Sequence, residues 1–434
     1  MAPAIVVVDA FSTGEQLAEQ VRLDGFELVV VSSQPSHVFS NALKDVKHEV
    51  QHDGDLAATV SHLLALPVTI AAVIAGTESG VFLTDMLSEA LGLDSTNGTA
   101  LSAARRNKLL QHEAVRAFGV RACKQILSTE WSEVERFVEA WNPVPFKVIV
   151  KPNQSAGSDH VFLCSDMAEL KEGFETINGA INNCGEVNHG VLCMEFLQGK
   201  EYVVDSVSRH GRHKAVAVWA YDKRRTNGQF NVLYGTEVKR LAPGLKEAMV
   251  EYSRTVLDAL NICNGPSHME IIVTATGPCL VEVGARCHGG HGTWAQIATA
   301  AWGTNQITAT IDAYARPQRF AALPDMAPEP LRFGSDVWLV NHHEGVVRAA
   351  PGLKIVERMP SFLCKEVGVK PGDRLVQTVD LWTMAGRVQL LHDSAEQVER
   401  DFADIHDMLK VGAMFELASG KDKEHAEQQG PECH

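Results

Sequence analysis

Seven charged side chains in the middle of the chain have types and spacing that could do chemistry together. Lys108 falls in a basic stretch, and Lys151 closes an apolar run just before the small-residue loop Gln154-Ser155-Ala156-Gly157-Ser158. Glu195 ends another apolar run and is followed by Glu201. Glu270 and Glu282 sit on neighbouring alternating segments, with Arg286 four residues after the second. Two lysines supply compact positive charge to a polyphosphate. A loop of small residues lets backbone N–H groups approach it, and a serine hydroxyl adds a donor. Two carboxylates on paired strands can hold magnesium ions that stay bound to phosphate oxygens. An arginine can clamp a phosphoryl group in transfer. A strand edge leaving an apolar pocket suits adenine, and Glu201 can hold both ribose hydroxyls. ATP with a metal therefore fits the set as a whole, although each residue alone has an ordinary structural reading.

The elements that must position these groups alternate. Apolar strands at Ile5–Val8, Leu28–Val31 and Val68–Ile74 are expected, separated by helices over Gly14–Leu23 and Leu56–Leu66, with a further helix over Val81–Leu91. Continuous apolar strands alternating with helices indicate a parallel sheet covered on both faces. Its ligand-binding end would carry the loops Asp9–Ser12, Ser32–Ser36 and Gly76–Gly80. A basic amphipathic helix is expected from Ala100 to Val120, carrying Arg105, Arg106 and Lys108. Then come a strand at Lys147–Val150, a helix at Met167–Ile177 and a strand at Val191–Phe196. Strands follow at Tyr202–Val207 and Ala215–Trp219, before the turn-rich basic stretch Asp222–Gln229. The helix Leu245–Leu260 precedes a hairpin of Ser267–Val273 and Pro278–Val283. Arg316–Pro330 reads as a linker. Val337–Leu339, Gly345–Ala349 and Arg374–Leu381 read as β, Ala395–Met408 as a helix, and Ser419–His434 as a disordered tail.

Composition narrows the class. The 434 residues are 45% hydrophobic and 21% charged, which suits a multidomain globular protein with a substantial core. A net charge of −15 argues against sequence-independent nucleic-acid binding and against an anionic membrane surface. Nine cysteines, odd in number and without a CxxC pair, read as reduced thiols in a cytoplasmic protein. The N-terminus reads as a first strand rather than a signal peptide, and no apolar stretch is long enough to span a membrane.

Three segments carry a resemblance. FKVIVKPNQSAGSDHV looks like a lysine strand with a mobile glycine-rich loop, VLCMEFLQGKEYVVD like an adenine hinge, and HMEIIVTATGPCLVEVGARCHGG like a metal-binding hairpin. In this order they resemble the ATP-grasp superfamily and, within it, the L-amino acid ligase (carboxylate–amine ligase) branch. The resemblance implies an α/β (α+β ATP-grasp) fold. It comprises an N-terminal parallel α/β domain (1–99), a linker helix with the small ATP-grasp subdomain (100–190), the large subdomain with the metal site (191–330) and a β-rich C-terminal domain (331–418).

The resemblance also implies roles. Lys108 and Lys151 would contact ATP phosphates, with Ser158 in the loop that closes over them. Glu195 and Leu197 would face adenine and Glu201 the ribose. Glu270 and Glu282 would hold one or two magnesium ions, and Arg286 would meet the transferring phosphate, sharing catalysis with Lys151. Lys223 and Arg225, in a loop that this fold places near phosphate and substrate, are substrate candidates, as are His288, Gly289, Gly290 and His291. His288 and His291, three apart, could instead bind zinc, or be structural. One departure stands out. Gly284 replaces the Asn of the E-x-N-x-R pattern that many ATP-grasp enzymes carry, a change shared with similar amino acid ligases. The expected partners are a small carboxylate and a small amine, and a homodimer is allowed. An ATP-grasp carboxylase, a purine-pathway-type ligase and a non-catalytic nucleotide-binding protein are the alternatives.

Overall fold

Valine-rich segments build the first sheet. The computed structural model describes residues 3–33, 43–155, 157, 159–183 and 185–418. They fall into two units, one of Met1–Ala220 and Arg240–Pro330, the other of Tyr221–Lys239 and Leu331–His434. In the first unit four parallel strands lie in the order His48–Gln51, Glu27–Ser32, Pro3–Val8 and Thr69–Ala75. Ala4 to Val8 are wholly buried, as a strand covered on both faces must be. Helices Thr13–Leu23 and Leu56–Ala65 connect strands of this sheet, and Val81–Ala90 follows its last strand. The expectation of three strands is corrected to four. His48–Gln51 is polar and half-exposed, so it carries no apolar run to announce it. At the ligand-binding end Asp9 ties two loops together, accepting the Ser33 N–H at 2.7 Å and the Ser79 hydroxyl at 2.6 Å.

The basic helix is shorter than the sequence suggests. It runs Lys108–Ala117, opened by the Asn107 side chain accepting the Leu110 N–H, while residues before it form turns. Arg105 explains the late start. It is fully buried, and its guanidinium donates to Asp85 and to the carbonyls of Asn97, Gly98, Leu260 and Asn261. Five bonds to fixed partners outweigh the helix propensity of one turn.

A second, antiparallel sheet orders Gln125–Ser128, Val191–Glu195, Val148–Lys151 and Phe162–Cys164. Helices Trp131–Trp141 and Met167–Ile177 supply Val134, Val138, Leu170 and Phe174 to its core. A third sheet orders Gly277–Gly284, Gly265–Thr274, Gly199–Arg209 and Arg212–Thr226, the last belonging to this unit through Ala220. The helix Leu245–Ala259 packs on it through Met249, Val256 and Leu257. The helices Gln306–Ala315 and Pro317–Ala322 pack Ala309, Ala313 and Phe320 against Val207 and Val216. Gly199 is required by close approach, since a Cβ there would stand 2.1 Å from the Val273 carbonyl oxygen. The linker expected over Arg316–Pro330 therefore includes a short helix, started by Pro317 at a first-turn position that needs no N–H.

In the second unit the antiparallel order is Gln229–Glu237, Phe333–Trp338, Gly386–His392 and Phe362–Val367, covered by helix Ala395–Lys410. A small sheet joins Arg374–Leu375, Gly345–Ala349 and Glu416–Leu417. The expected turn-rich stretch Asp222–Gln229 is instead mostly strand. Only Asn227 and Gly228, both at positive φ (48° and 82°), make the hairpin turn. The strand expected over Arg374–Leu381 shrinks to two residues. The tail expected from Ser419 onward lies outside the described residues. Among the described residues no helix is long and apolar enough to cross a membrane.

Candidate active site

The edge strand Gly277–Gly284 is completed by side chains. From helix Lys108–Ala117, Gln111 donates to the Val283 carbonyl at 2.7 Å and accepts the Val283 N–H at 3.1 Å, while His112 Nε2 meets the Val281 carbonyl at 3.2 Å. An amide side chain thus imitates a neighbouring strand and satisfies backbone groups that an edge would otherwise leave to water. One helical turn earlier, Lys108 falls beside Glu282, its Nζ 2.8 Å from Oε2. The same Nζ donates to the Ser155 carbonyl at 2.8 Å, which fastens the small-residue loop to the hairpin.

Glu282 and Glu270 are direct register partners, so their side chains leave the same face of the sheet. Lys151 completes the group from the second sheet and is almost wholly buried. Burial, and then the neighbouring Lys108 charge, hold its ammonium below the usual lysine range, against the pull of Glu282 and Glu270. Four side chains from three distant segments therefore share one electrostatic neighbourhood. Ser155 in the adjoining loop donates to Asp159 at 2.7 Å, and Asp159 also accepts the Asn183 N–H. Ser158 lies outside the described residues.

Arg286 is engaged on its other flank. Glu78, from the Gly76–Gly80 loop of the parallel sheet, takes Arg286 Nε at 2.9 Å on one oxygen and Arg106 Nη1 at 2.7 Å on the other. Burial pushes the Glu78 carboxyl up, but Arg286, Arg106 and Lys108 together hold it below the ordinary range. Gly284 is part of this contact: a Cβ there would come within 2.8 Å of Glu78 Oε2 and 3.0 Å of the Arg286 guanidinium carbon. The position at which other family patterns carry Asn is here open space filled by an ion pair. Sequence reading placed the Gly76–Gly80 loop at the sheet's ligand-binding end but had nothing to single out Glu78.

On the hinge side, the Glu195 carboxylate is bound to Arg121 at 3.0 Å and to the Lys124 N–H at 3.2 Å. Leu197 is buried, and Glu201 is half-buried on the strand beside Ile272. Arg121 also donates to Cys279 at 2.9 Å, and Cys279 lies 3.9 Å from Cys123. All seven cysteines among the described residues are free thiols.

The two histidines part company. The His288 ring is buried against Asp205 and Trp294, where burial brings it down to about 4. His291 stands at a positive φ of 53° and presents its carbonyl to Gln16. Gly289 gives its carbonyl to the Trp294 indole, and Gly290 opens the short helical turn that follows. Lys223 and Arg225 belong to the second unit, Lys223 lying 5.0 Å over the Tyr221 ring.

This combination of sheets, lysines and a paired-carboxylate hairpin has counterparts among known proteins. A model of the ATP-grasp domain matches residues 144–294. Dapdiamide A synthase from Enterobacter agglomerans is 32% identical over 413 residues, covering 93% of this chain and 95% of that protein. Carnosine synthase 1 from Homo sapiens is 26% identical over 310 residues, covering 66% of this chain and 36% of that one. The solved structure of an L-amino acid ligase from Bacillus licheniformis shares the fold, with a TM-score of 0.75 at 18% identity over 96% of this chain and 99% of that one. The chain belongs to the ATP-grasp family, in its carboxylate–amine ligase branch.

Proposed function

We propose that this protein is an ADP-forming ligase that joins the carboxylate of one amino acid or amino-acid-like substrate to the amine of another, through an acyl phosphate. The observation that carries the reading is the convergence of Lys108, Lys151, Glu270 and Glu282 in one electrostatic neighbourhood, with Arg286 nearby. The names of the matched relatives, synthases of dapdiamide A and carnosine, support amide formation between small molecules.

A free carboxylate is a poor electrophile, and transfer of the γ-phosphoryl group of ATP gives it a leaving group. Lys151 and Lys108 neutralise phosphate charge, and Lys108 exchanges its contact with Glu282 for phosphate oxygens. The Glu195 main chain and Leu197 line the adenine side, with Glu201 at the ribose. Arg286 steadies the phosphoryl group in transfer and then the acyl phosphate. The amine displaces phosphate, forming the amide. The loop at Ser155 and Ser158 closes over the site and keeps water from the activated carbonyl.

Two partly exposed carboxylates facing the same way, with a lysine as the local counter-charge, form an all-oxygen donor set that suits a hard divalent cation. Glu270 and Glu282 would hold magnesium, which when bound supplies charge neutralisation on the phosphates. The substrate side is assigned to Gly289, Gly290 and His291, while the His288 ring is turned to Asp205 in the interior.

The test is product analysis with ATP and a panel of amino acids offered singly and in pairs, with bicarbonate and no-substrate controls. ADP and phosphate release that requires two amino acids is expected. AMP with pyrophosphate, or turnover driven by bicarbonate, would replace this reading.

A further inference from the structure

Behind the carboxylate hairpin lies a buried polar cluster that the proposed chemistry does not use. Asp205 is fully buried, and His268 and His288 nearly so. Asp205 Oδ1 meets His268 Nδ1 at 2.9 Å, and Oδ2 meets His288 Nδ1 at 2.9 Å while accepting the Trp219 indole N–H at 2.7 Å. The two imidazoles lie 4.2 Å apart between centroids, and Trp294 stacks on His288 at 5.2 Å. Placing a carboxylate and two imidazoles in a core is costly unless every polar atom is matched.

The register shows where the cluster leads. Asp205 is the direct cross-strand partner of His268, just as Glu282 is the partner of Glu270. His268 and Glu270 are two apart on one strand, so both project from the same face, while Met269 between them enters the hydrophobic core. The second ring nitrogen of His268, Nε2, stands 3.8 Å from Glu270 Oε1. The imidazole thus bridges edgewise between a wholly buried carboxylate and one at the proposed metal site. Asp205 fixes the ring plane from behind, and Trp219 and His288 fix Asp205.

We propose that His268, held by Asp205, is a positioning residue that orients the Glu270 carboxylate for a divalent metal ion. The inference rests on Glu270 being a metal ligand, and it gives the buried cluster the task of a supporting shell. Partners of this kind set the direction of a ligand's lone pairs, and their loss typically costs about ten- to a hundredfold in metal affinity.

The experiment measures Mn2+ binding in the presence of ADP by electron paramagnetic resonance, for the wild-type protein, Glu270→Gln, His268→Asn and His268→Gln. Asn at 268 retains an amide near the Nδ1 position for Asp205 but has nothing to reach Glu270, and His268→Gln is the second variant should the first not fold. Circular dichroism and metal-free ADP binding accompany each variant. The expected result is a weakening of Mn2+ by about ten- to a hundredfold with an altered spectrum, at unchanged metal-free ADP affinity. If Glu270→Gln weakens Mn2+ while both His268 variants bind it within twofold of wild type, the positioning role is overturned. If Glu270→Gln leaves Mn2+ binding intact, the underlying metal assignment falls as well. Stoichiometric zinc retained by purified wild type and lost from the His268 variants would make the cluster a metal centre in its own right and overturn the proposal.

Discussion

Lys108 Nζ lies 2.8 Å from Glu282 Oε2, and the contact exists because Gln111, one turn further along the same helix, pairs with the backbone of Val283. The helix is docked by its amide and delivers its lysine. Substituting Gln111→Leu should leave the lysine in place chemically yet misdirected. A fall of about tenfold in kcat/KM for ATP is expected, with KM bearing most of it, measured by steady-state ADP release.

Glu282 carries a sharper prediction. Glu282→Ala removes a proposed metal ligand from a partly exposed face, not a core group. Turnover should fall at least about a hundredfold while circular dichroism and melting temperature stay close to wild type. Rates near wild type would remove Glu282 from the site.

Glu78 is expected to govern Arg286. Glu78→Gln keeps the volume but withdraws the charge that holds the Arg286 and Arg106 guanidiniums. About a tenfold loss in kcat is expected, with ADP affinity little changed, by comparing single-turnover phosphoryl transfer with nucleotide binding. Gly284→Ala should act in the same direction, because its methyl group would enter the space occupied by the Glu78 carboxylate.

Arg105 should govern stability. Its fully buried pairing with Asp85 at 2.7 Å, together with four carbonyl contacts, fastens three stretches of chain. Arg105→Met strands the Asp85 carboxylate, whose pKa burial already raises despite Arg105. A loss of about 3–5 kcal/mol is expected from urea denaturation. A loss below about 1 kcal/mol would show that the pair is dispensable.

His406 supplies the pH dependence. Burial, then the Arg224 charge, bring its imidazole from 6.5 down to about 3 in the folded protein. Below pH 6.5 the unfolded chain takes up a proton that the folded chain refuses until about pH 3, so stability falls as pH drops through that window. At full extent the contribution is on the order of 5 kcal/mol. His406→Gln should flatten this acid limb in denaturation measured at pH 7 and pH 4. An unchanged slope would show that His406 does not titrate in this way.

Much of this was legible in the order of residues. Period-two and continuous apolar runs located the parallel sheet and the carboxylate hairpin, because burial on one or both faces writes itself into local pattern. Lys151, Glu270, Glu282 and Arg286 stood out because their types and local spacing are meaningful within a single strand, turn or hairpin. The Asn227–Gly228 turn was also there to be read, from a dipeptide that tolerates two successive positive φ values. The strand His48–Gln51 was not, having no apolar signature.

What the sequence by itself determined is therefore the inventory and the local elements: which charges exist, on which strand or turn, facing which side. Only the tertiary structure decided that Glu78 from the first sheet would clasp Arg286 beside a glycine, that Gln111 would complete an edge strand, and that Asp205 would stand directly across from His268. Those are long-range pairings. No local periodicity encodes them, because they depend on sheet register and helix docking, which are set by the packing of the whole unit and not by neighbouring residues.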